Sequence, residues 1–184
     1  MYTSLEIEFK TAISKDEYNK LIDFFELQDK VFTQINYYFD THDYSLIKNH
    51  IILRIREKSY NIKLTSKTPQ EVGTLERHIV LDKNEAYKMI KEGFNANIIG
   101  IDKDVINVAT LTTHRATIPY KNGKLFFDKN NYYETTDYEI EFECDNEEQG
   151  KELFVEFLKE HNIQFTKTES KSKRAYKKKN LANC

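Results

Sequence analysis

Leu5-Glu6-Ile7-Glu8-Phe9-Lys10, near the N-terminus, alternates strictly between apolar and charged residues. On a β-strand successive side chains point to opposite faces, so Leu5, Ile7 and Phe9 form one row and Glu6, Glu8 and Lys10 the other. The first row asks for burial. The second lines up two carboxylates and an ammonium about 7 Å apart, twice the rise per residue. One such strand is ordinary in an antiparallel sheet with a single wet face. Its meaning depends on whether other strands repeat the pattern.

Several do. Tyr138-Glu139-Ile140-Glu141-Phe142-Glu143 sets three carboxylates against three apolar residues. Leu53-Arg54-Ile55-Arg56 does the same with two guanidiniums, and Lys63 stands opposite Ile62 and Leu64. Like charges two apart on one face give no stabilisation by themselves. A counter-charge brought from outside is the simplest reason to keep them. Carboxylates from two strands make a hard oxygen site suited to Mg²⁺ or Mn²⁺. The Arg and Lys rows suit phosphates, which the Arg fork binds bidentately. A closed or nearly closed sheet would carry this polar face inward and its apolar face outward, under helices.

The intervening sequence fits that frame. Ser14-Lys15-Asp16-Glu17 reads as a capping box, followed by Tyr18, Leu21, Ile22 and Phe25 at helical spacing, which predicts a helix from about Lys15 to Leu27. Val31 to Thr41 reads as a strand with a turn at His42-Asp43. Gly73 to Val80 reads as a strand with Glu76 and His78 on one face. Asn84 is the expected cap of a short helix through Glu85 to Ile90, with Gly93 just past its end. Val105 to Tyr120 reads as one long or broken strand. Asn122-Gly123 is the strongest hairpin signal, because such a pair accepts positive φ angles, and Leu125 to Asp128 is the return strand. Asn146 caps a helix carrying Leu153, Phe154, Phe157 and Leu158, and Ser170 to Tyr176 begins a short basic helix. About eight strands with three or four helices predict an antiparallel α+β fold.

The chain has 184 residues, with 28 Lys and Arg against 30 Asp and Glu, for a net charge of −2. The balance argues against a general nucleic-acid or membrane-surface binder. Cys144 and Cys184 form neither a metal-ligand spacing nor a disulfide framework. There is no membrane-spanning apolar run and no signal peptide, so a cytoplasmic location is expected.

Glu6-x-Glu8-x-Lys10 is similar to the ExExK signature of the CYTH superfamily, the triphosphate tunnel metalloenzymes, and resembles most closely its small single-domain bacterial members. The resemblance continues in order through Tyr38-Phe39-Asp40-Thr41, Leu53-Arg54-Ile55-Arg56, Ile62-Lys63-Leu64-Thr65, Glu76, Arg115, Asp128, Glu139-Ile140-Glu141 and Lys171-Ser172-Lys173. It implies an eight-stranded antiparallel β-barrel, a tunnel with helices on its outside. This would be a single domain over residues 1–180, with a frayed tail at 181–184. It also implies Mg²⁺ or Mn²⁺ held by Glu6, Glu8, Glu139 and Glu141, with Asp128 and Glu76 as further acidic groups. Lys10, Arg54, Arg56, Lys63 and Arg115 would grip phosphates, and Lys171 and Lys173 would close over them. Glu6, Glu8 and Lys10 are the candidate catalytic group. The implied activity is metal-dependent hydrolysis of a small-molecule triphosphate, inorganic triphosphate first and thiamine or nucleoside triphosphate next, by a monomer or homodimer. Two alternatives stay open: a class IV adenylyl cyclase and a non-catalytic triphosphate or polyphosphate binder. Glu143 is expected to be solvated at its strand end, and His78 and His114 to be surface or packing residues.

Overall fold

The computed structural model of the protein describes residues 1–59 and 61–182. Nine strands and five helices are present among them: β1 (Tyr2–Ile13), α1 (Lys15–Phe24), β2 (Phe32–Asp40), α2 (Ser45–Lys48), β3 (Ile52–Lys58), β4 (Asn61–Pro69), β5 (Thr74–Val80), α3 (Lys83–Glu92), β6 (Phe94–Asn95), β7 (Asp104–Tyr120), β8 (Gly123–Tyr132), β9 (Thr135–Cys144), α4 (Glu147–Glu160) and α5 (Lys171–Ala182). Of the expected frayed tail, Asn183 and Cys184 lie outside the described residues.

The strands pair in the order β2-β3-β4-β5-β1-β9-β8-β7, and β7 pairs back onto β2. Every pairing in this ring is antiparallel. The result is a closed eight-stranded barrel, and β6 adds only two residues beside β7. The long β7 serves two neighbours: its residues 106–115 pair with β2 and its residues 112–120 with β8.

The alternating rows place the core outside the barrel. Ile7, Ala116, Leu125, Phe127, Ile140 and Phe142 face outward and are covered by α1 and α4 through Tyr18, Leu21, Phe154 and Phe157. On the other flank, Phe39, Leu53, Ile55, Ile62 and Leu64 lie under α2 and α3 with Leu46, Ala86 and Met89. Fully burying side chains of this size contributes about 1.5–3 kcal/mol each. With apolar surface covered on the outside, the charged rows point into the barrel. No helix among the described residues is long and apolar enough to cross a membrane.

Local signals explain most boundaries. The Ser14 hydroxyl accepts from the Glu17 N–H, and the Glu17 carboxylate accepts from the Ser14 N–H at 2.7 Å, completing the capping box of α1. Asn146 caps α4 as expected. Helix α3 is capped by Asp82 and not by Asn84, whose own N–H donates to the Asp82 carboxylate at 2.8 Å. Gly93 follows α3 at φ +79°. The β7–β8 hairpin forms at the expected place, but the positive φ belongs to Lys121. Gly123 is instead paired with Tyr120, and a Cβ there would sit 2.3 Å from the Glu143 carbonyl oxygen.

Candidate active site

Closing the ring brings together charges that are far apart in sequence. Glu8 of β1 lies directly across from Glu143 of β9. Carboxylate oxygens of Glu6, Glu8 and Glu143 lie within 4.8 Å of one another. Asp128 of β8 with Glu139 and Glu141 of β9 forms a second set within the same distance, with all three buried. The two sets follow one another along β9, which contributes Glu139 and Glu141 to the second and Glu143 to the first.

Cations thread between them. Lys10 Nζ donates to Glu8 Oε1 at 2.9 Å. Arg115 sets its Nε and Nη2 on the two oxygens of Asp128, at 2.7 and 2.5 Å, and also reaches Glu141. Lys67 pairs with Glu6 and, at 2.8 Å, with Glu76, which Arg54 approaches to 3.6 Å. From α5, Lys171 descends onto Asp128 at 2.9 Å, Glu141 at 2.5 Å and Glu139. On the same helix Arg174 holds Glu139 and Asp137, both at 2.9 Å.

The protonation equilibria follow the balance of burial against these partners. Burial opposes ionisation of Asp128, but Arg115 and Lys171 outweigh it and hold the carboxyl down to about 2. Glu8 is half-buried, and its desolvation is outweighed by Lys10, Lys67 and Lys171, which keep it well below the usual carboxylate range. Two carboxyls go the other way. Burial and the neighbouring Glu8 push Glu141 up to about 7, and burial and Glu6 push Glu143 up to about 7. At these two positions the protein's own cations under-compensate the negative charge, and an added positive charge would relieve it. The donor chemistry agrees, since carboxylate oxygens within 4.8 Å of one another fit a hard divalent cation.

Opposite the carboxylates stand donors without acceptors. Gln34 Nε2, Asn36 Nδ2 and Arg54 Nε are buried and have no partner among the described residues. Such a buried orphan donor costs about 1–3 kcal/mol. Among the described residues Arg56 keeps only a bond from its Nε to Asn36 Oδ1 at 2.8 Å, and burial together with Arg54 and Arg115 pulls it down to about 9. Donors of this kind are chemically suited to an oxyanion.

The interior is lopsided. A tight chamber of about 50 Å³, lined by Glu6, Glu8, Lys10, Arg54, Arg56 and Lys171 among others, lies below α5. It shares Glu6, Arg54, Arg56, Arg115 and Glu143 with an open mouth of about 990 Å³. At the opposite end Tyr38, Ala109, Leu111 and Tyr132 pack on Ala175 of α5, which fills that side.

Among the sequence candidates, Glu6, Glu8, Lys10, Arg54, Arg56, Glu76, Arg115, Asp128, Glu139, Glu141 and Lys171 all face the interior. Lys63 lies at the mouth, its Nζ donating to the Tyr2 hydroxyl at 2.9 Å. Lys173 lies outside, half-exposed and paired with Glu169 at 2.9 Å. Residues 171 and 174 share a helix face and 173 does not, so Arg174 takes the inward place. Glu143, expected in solvent, joins the Glu6–Glu8 set. His78 also lies in the interior, bonded to Ser4 and Thr65 and 3.2 Å from Glu76. Lys67 follows Lys63 and Thr65 on the same face of β4, a continuation visible in the sequence once the strand is extended to Pro69. His114 points out toward Thr33. Asp40, in the stretch Tyr38-Phe39-Asp40-Thr41, is structural: its carboxylate accepts from the N–H groups of Thr41, Leu46 and Ile47 and anchors α2.

The CYTH domain family matches residues 4–176. The chain belongs to the CYTH family. A CYTH relative from Bacillus subtilis (strain 168), named "Putative triphosphatase YjbK", is 35% identical over 186 residues, covering 97% of this chain and 98% of that protein. The crystal structure of "a putative adenylate cyclase (bh2851)" from Bacillus halodurans is also similar, at 35% identity and a TM-score of 0.86, covering 95% of this chain and 98% of that one. A Hippeastrum protein, HpAC1, shares the CYTH fold at 22% identity and a TM-score of 0.73, covering 94% of this chain and 95% of that one.

Proposed function

We propose that the barrel binds the triphosphate group of a small molecule together with Mg²⁺ or Mn²⁺ and hydrolyses a phosphoanhydride bond, with inorganic triphosphate as the first candidate substrate. One observation carries this reading. The same closed interior holds two carboxylate sets, each with one under-compensated member, Glu141 or Glu143, and, facing them, buried Arg54, Gln34 and Asn36 donors with no acceptor among the described residues. A metal alone would leave the donors empty, and an anion alone would face the carboxylates. A metal–polyanion complex satisfies both. The name of the B. subtilis relative supports the same class of chemistry.

The divalent cation, held by Glu6, Glu8 and Glu143 or by Asp128, Glu139 and Glu141, would supply charge neutralisation at the phosphoryl oxygens. The chain's own residues do the rest. Arg54 and Arg56 present their guanidiniums from adjacent inward positions of β3 to the phosphates. Lys10 and Arg115, across the chamber, neutralise charge as it spreads over the oxygens in the transition state. Lys10 also fixes the Glu8 carboxylate in place through its 2.9 Å bond. Lys171 and α5 close the chamber from above and exclude bulk water, which strengthens each of these interactions.

The test is release of orthophosphate and pyrophosphate from inorganic triphosphate, thiamine triphosphate and ATP, each with Mg²⁺, Mn²⁺ or chelator. Metal-dependent orthophosphate release is the expected result. Cyclic AMP and pyrophosphate from ATP would replace the hydrolase by a cyclase, and tight binding without product would make the barrel a receptor.

A further inference from the structure

Inside the barrel, cations and carboxylates are matched across neighbouring strands. Lys10 stands in register with Glu141, Lys67 with Glu76 and Arg115 with Asp128. Opposite charges on directly paired residues stabilise a sheet. Arg56 breaks the pattern. Its register partners are Asn36 of β2 and Lys63 of β4, an amide and a second cation. Among the described residues, no carboxylate oxygen lies within 4.0 Å of its guanidinium nitrogens.

Asn36 is fully buried, and its oxygen accepts from Arg56 Nε at 2.8 Å. A guanidinium nitrogen only donates, so the amide turns its oxygen toward Arg56 and its nitrogen away. On the other side β7 offers Leu111 at this level, and Nδ2 has no partner among the described residues. For stability alone an aspartate of the same shape would serve better. It would accept from Nε equally well, neutralise the guanidinium and leave no orphan donor. Gln34 repeats the arrangement two residues along: it is buried, in register with Lys58, and its Nε2 has no partner among the described residues. β2 thus sets amides where the other walls set carboxylates. With Nε held, the guanidinium plane is fixed. Its two Nη groups make no hydrogen bond among the described residues, and they form the edge that fits two phosphoryl oxygens at once. Burial, Arg54 and Arg115 all disfavour the charge on Arg56. A carboxylate at position 36 would relieve that, and would weaken the pull on an anion by the same neutralisation.

We infer that Asn36 is a positioning residue for Arg56: it fixes the guanidinium plane through Nε and, being uncharged, leaves the whole positive charge for the oxyanion. The inference rests on the triphosphate reading and adds to it a residue that acts through another. The clamp and the absence of charge are separate requirements, and asparagine meets both. Leucine meets neither the clamp nor the polarity, and aspartate meets the clamp alone. Residues kept for binding are commonly not those that maximise stability, and position 36 is such a case.

The experiment compares wild type with Asn36→Asp and Asn36→Leu. Three quantities are read: the melting temperature of the protein alone, the dissociation constant for inorganic triphosphate by calorimetry at fixed free Mg²⁺, and solvent exchange of the Arg56 Nε–H by NMR of arginine-labelled protein. Asn36→Asp is expected to melt about 2–4 °C higher than wild type, to keep the Nε–H protected, and to bind triphosphate about tenfold more weakly or worse. Asn36→Leu is expected to lose the protection and to bind about tenfold more weakly as well. A residue that merely propped Arg56 would let Asn36→Asp bind as wild type does. That result, an Asn36→Asp protein less stable than wild type, or unchanged affinity in Asn36→Leu would each overturn the inference. So would a wild-type Nε–H that exchanges as fast as in free arginine, a measurement that needs neither ligand nor variant. Failure of wild type itself to bind triphosphate is a distinct outcome: it would refute the triphosphate reading and the inference with it.

Discussion

Replacing Arg115 by methionine isolates the charge balance of the chamber, because the two side chains are similar in length and only the fork is lost. Arg115 is 5% exposed and spans Asp128 and Glu141. Asp128 is held at about 2 against an ordinary 3.8, a difference worth about 2 kcal/mol at 1.36 kcal/mol per unit. Glu141 loses the same partner, and breaking a buried pair by removing one side costs about 3–5 kcal/mol in all. For a chain of this size each kcal/mol moves the melting temperature by about 2–4 °C, so Arg115→Met should melt about 6–20 °C lower at pH 7. The sign with pH is fixed. A carboxyl depressed in the fold contributes stability that is complete above its unfolded value near 4 and is lost as pH falls toward 2. The gap between wild type and variant should therefore narrow in acid. Mn²⁺ should raise the variant's melting temperature more than the wild type's, because the freed carboxylates gain a counter-charge. Differential scanning fluorimetry across pH, with and without Mn²⁺, measures all three quantities. A variant within 2 °C of wild type at pH 7 (less than about 1 kcal/mol), or a gap that stays constant into acid, would show that Arg115 does not balance these carboxylates.

Glu8→Gln and Glu139→Gln should each lower metal-dependent orthophosphate release by about 100-fold or more, as expected for loss of groups stabilising the reacting charge; retention of full rate in both would remove the metal assignment. Arg54→Ala should raise the apparent KM for triphosphate about tenfold, on the scale of one charge-assisted hydrogen bond, and an unchanged KM would exclude phosphate contact. Phe157→Ala empties the apolar layer between α4 and the barrel, where Phe157 stacks on Phe25, meets Tyr120 edge-on and packs tilted against Phe127. It should cost about 3–5 kcal/mol in urea unfolding. His161 packs against Phe24, Phe25 and Phe157, and burial lowers its proton affinity. The unfolded chain therefore takes up the proton first, and stability should fall as pH drops below about 6.5. His161→Gln should flatten that part of the melting profile, which calorimetry at closely spaced pH values would resolve.

The barrel was legible because its polar rows are too strongly charged for a solvated face, and alternation tied each row to an apolar partner. Glu6, Glu8, Arg54, Arg56, Glu139 and Glu141 all came from that pattern. What alternation could not supply was the length of a row. Glu143 stands at the end of its strand pattern, where solvent was expected, and only its direct pairing with Glu8 shows that the interior continues to it. Lys67 was hidden by the neighbouring Pro69, a residue that marks strand edges. Arg174 was missed because the basic run from Lys171 reads as uniform until helical periodicity separates position 174 from 173. Helix α2 carries no sequence signal of its own; four residues form it because the buried Asp40 carboxylate accepts from its backbone.

The ring order also governs how the molecule comes into being. β1 is closed on one side by β5 and on the other by β9, and β2 finds its second neighbour only in β7. During synthesis the β1–β5 meander therefore emerges with both edges unpaired, exposing backbone groups that can template wrong partners. Its relief waits for segments that lie about a hundred residues downstream. Contacts of such sequence separation fold slowly. The first acidic strand made is among the last to find its neighbour, so the charged interior is complete only with the final turns of chain.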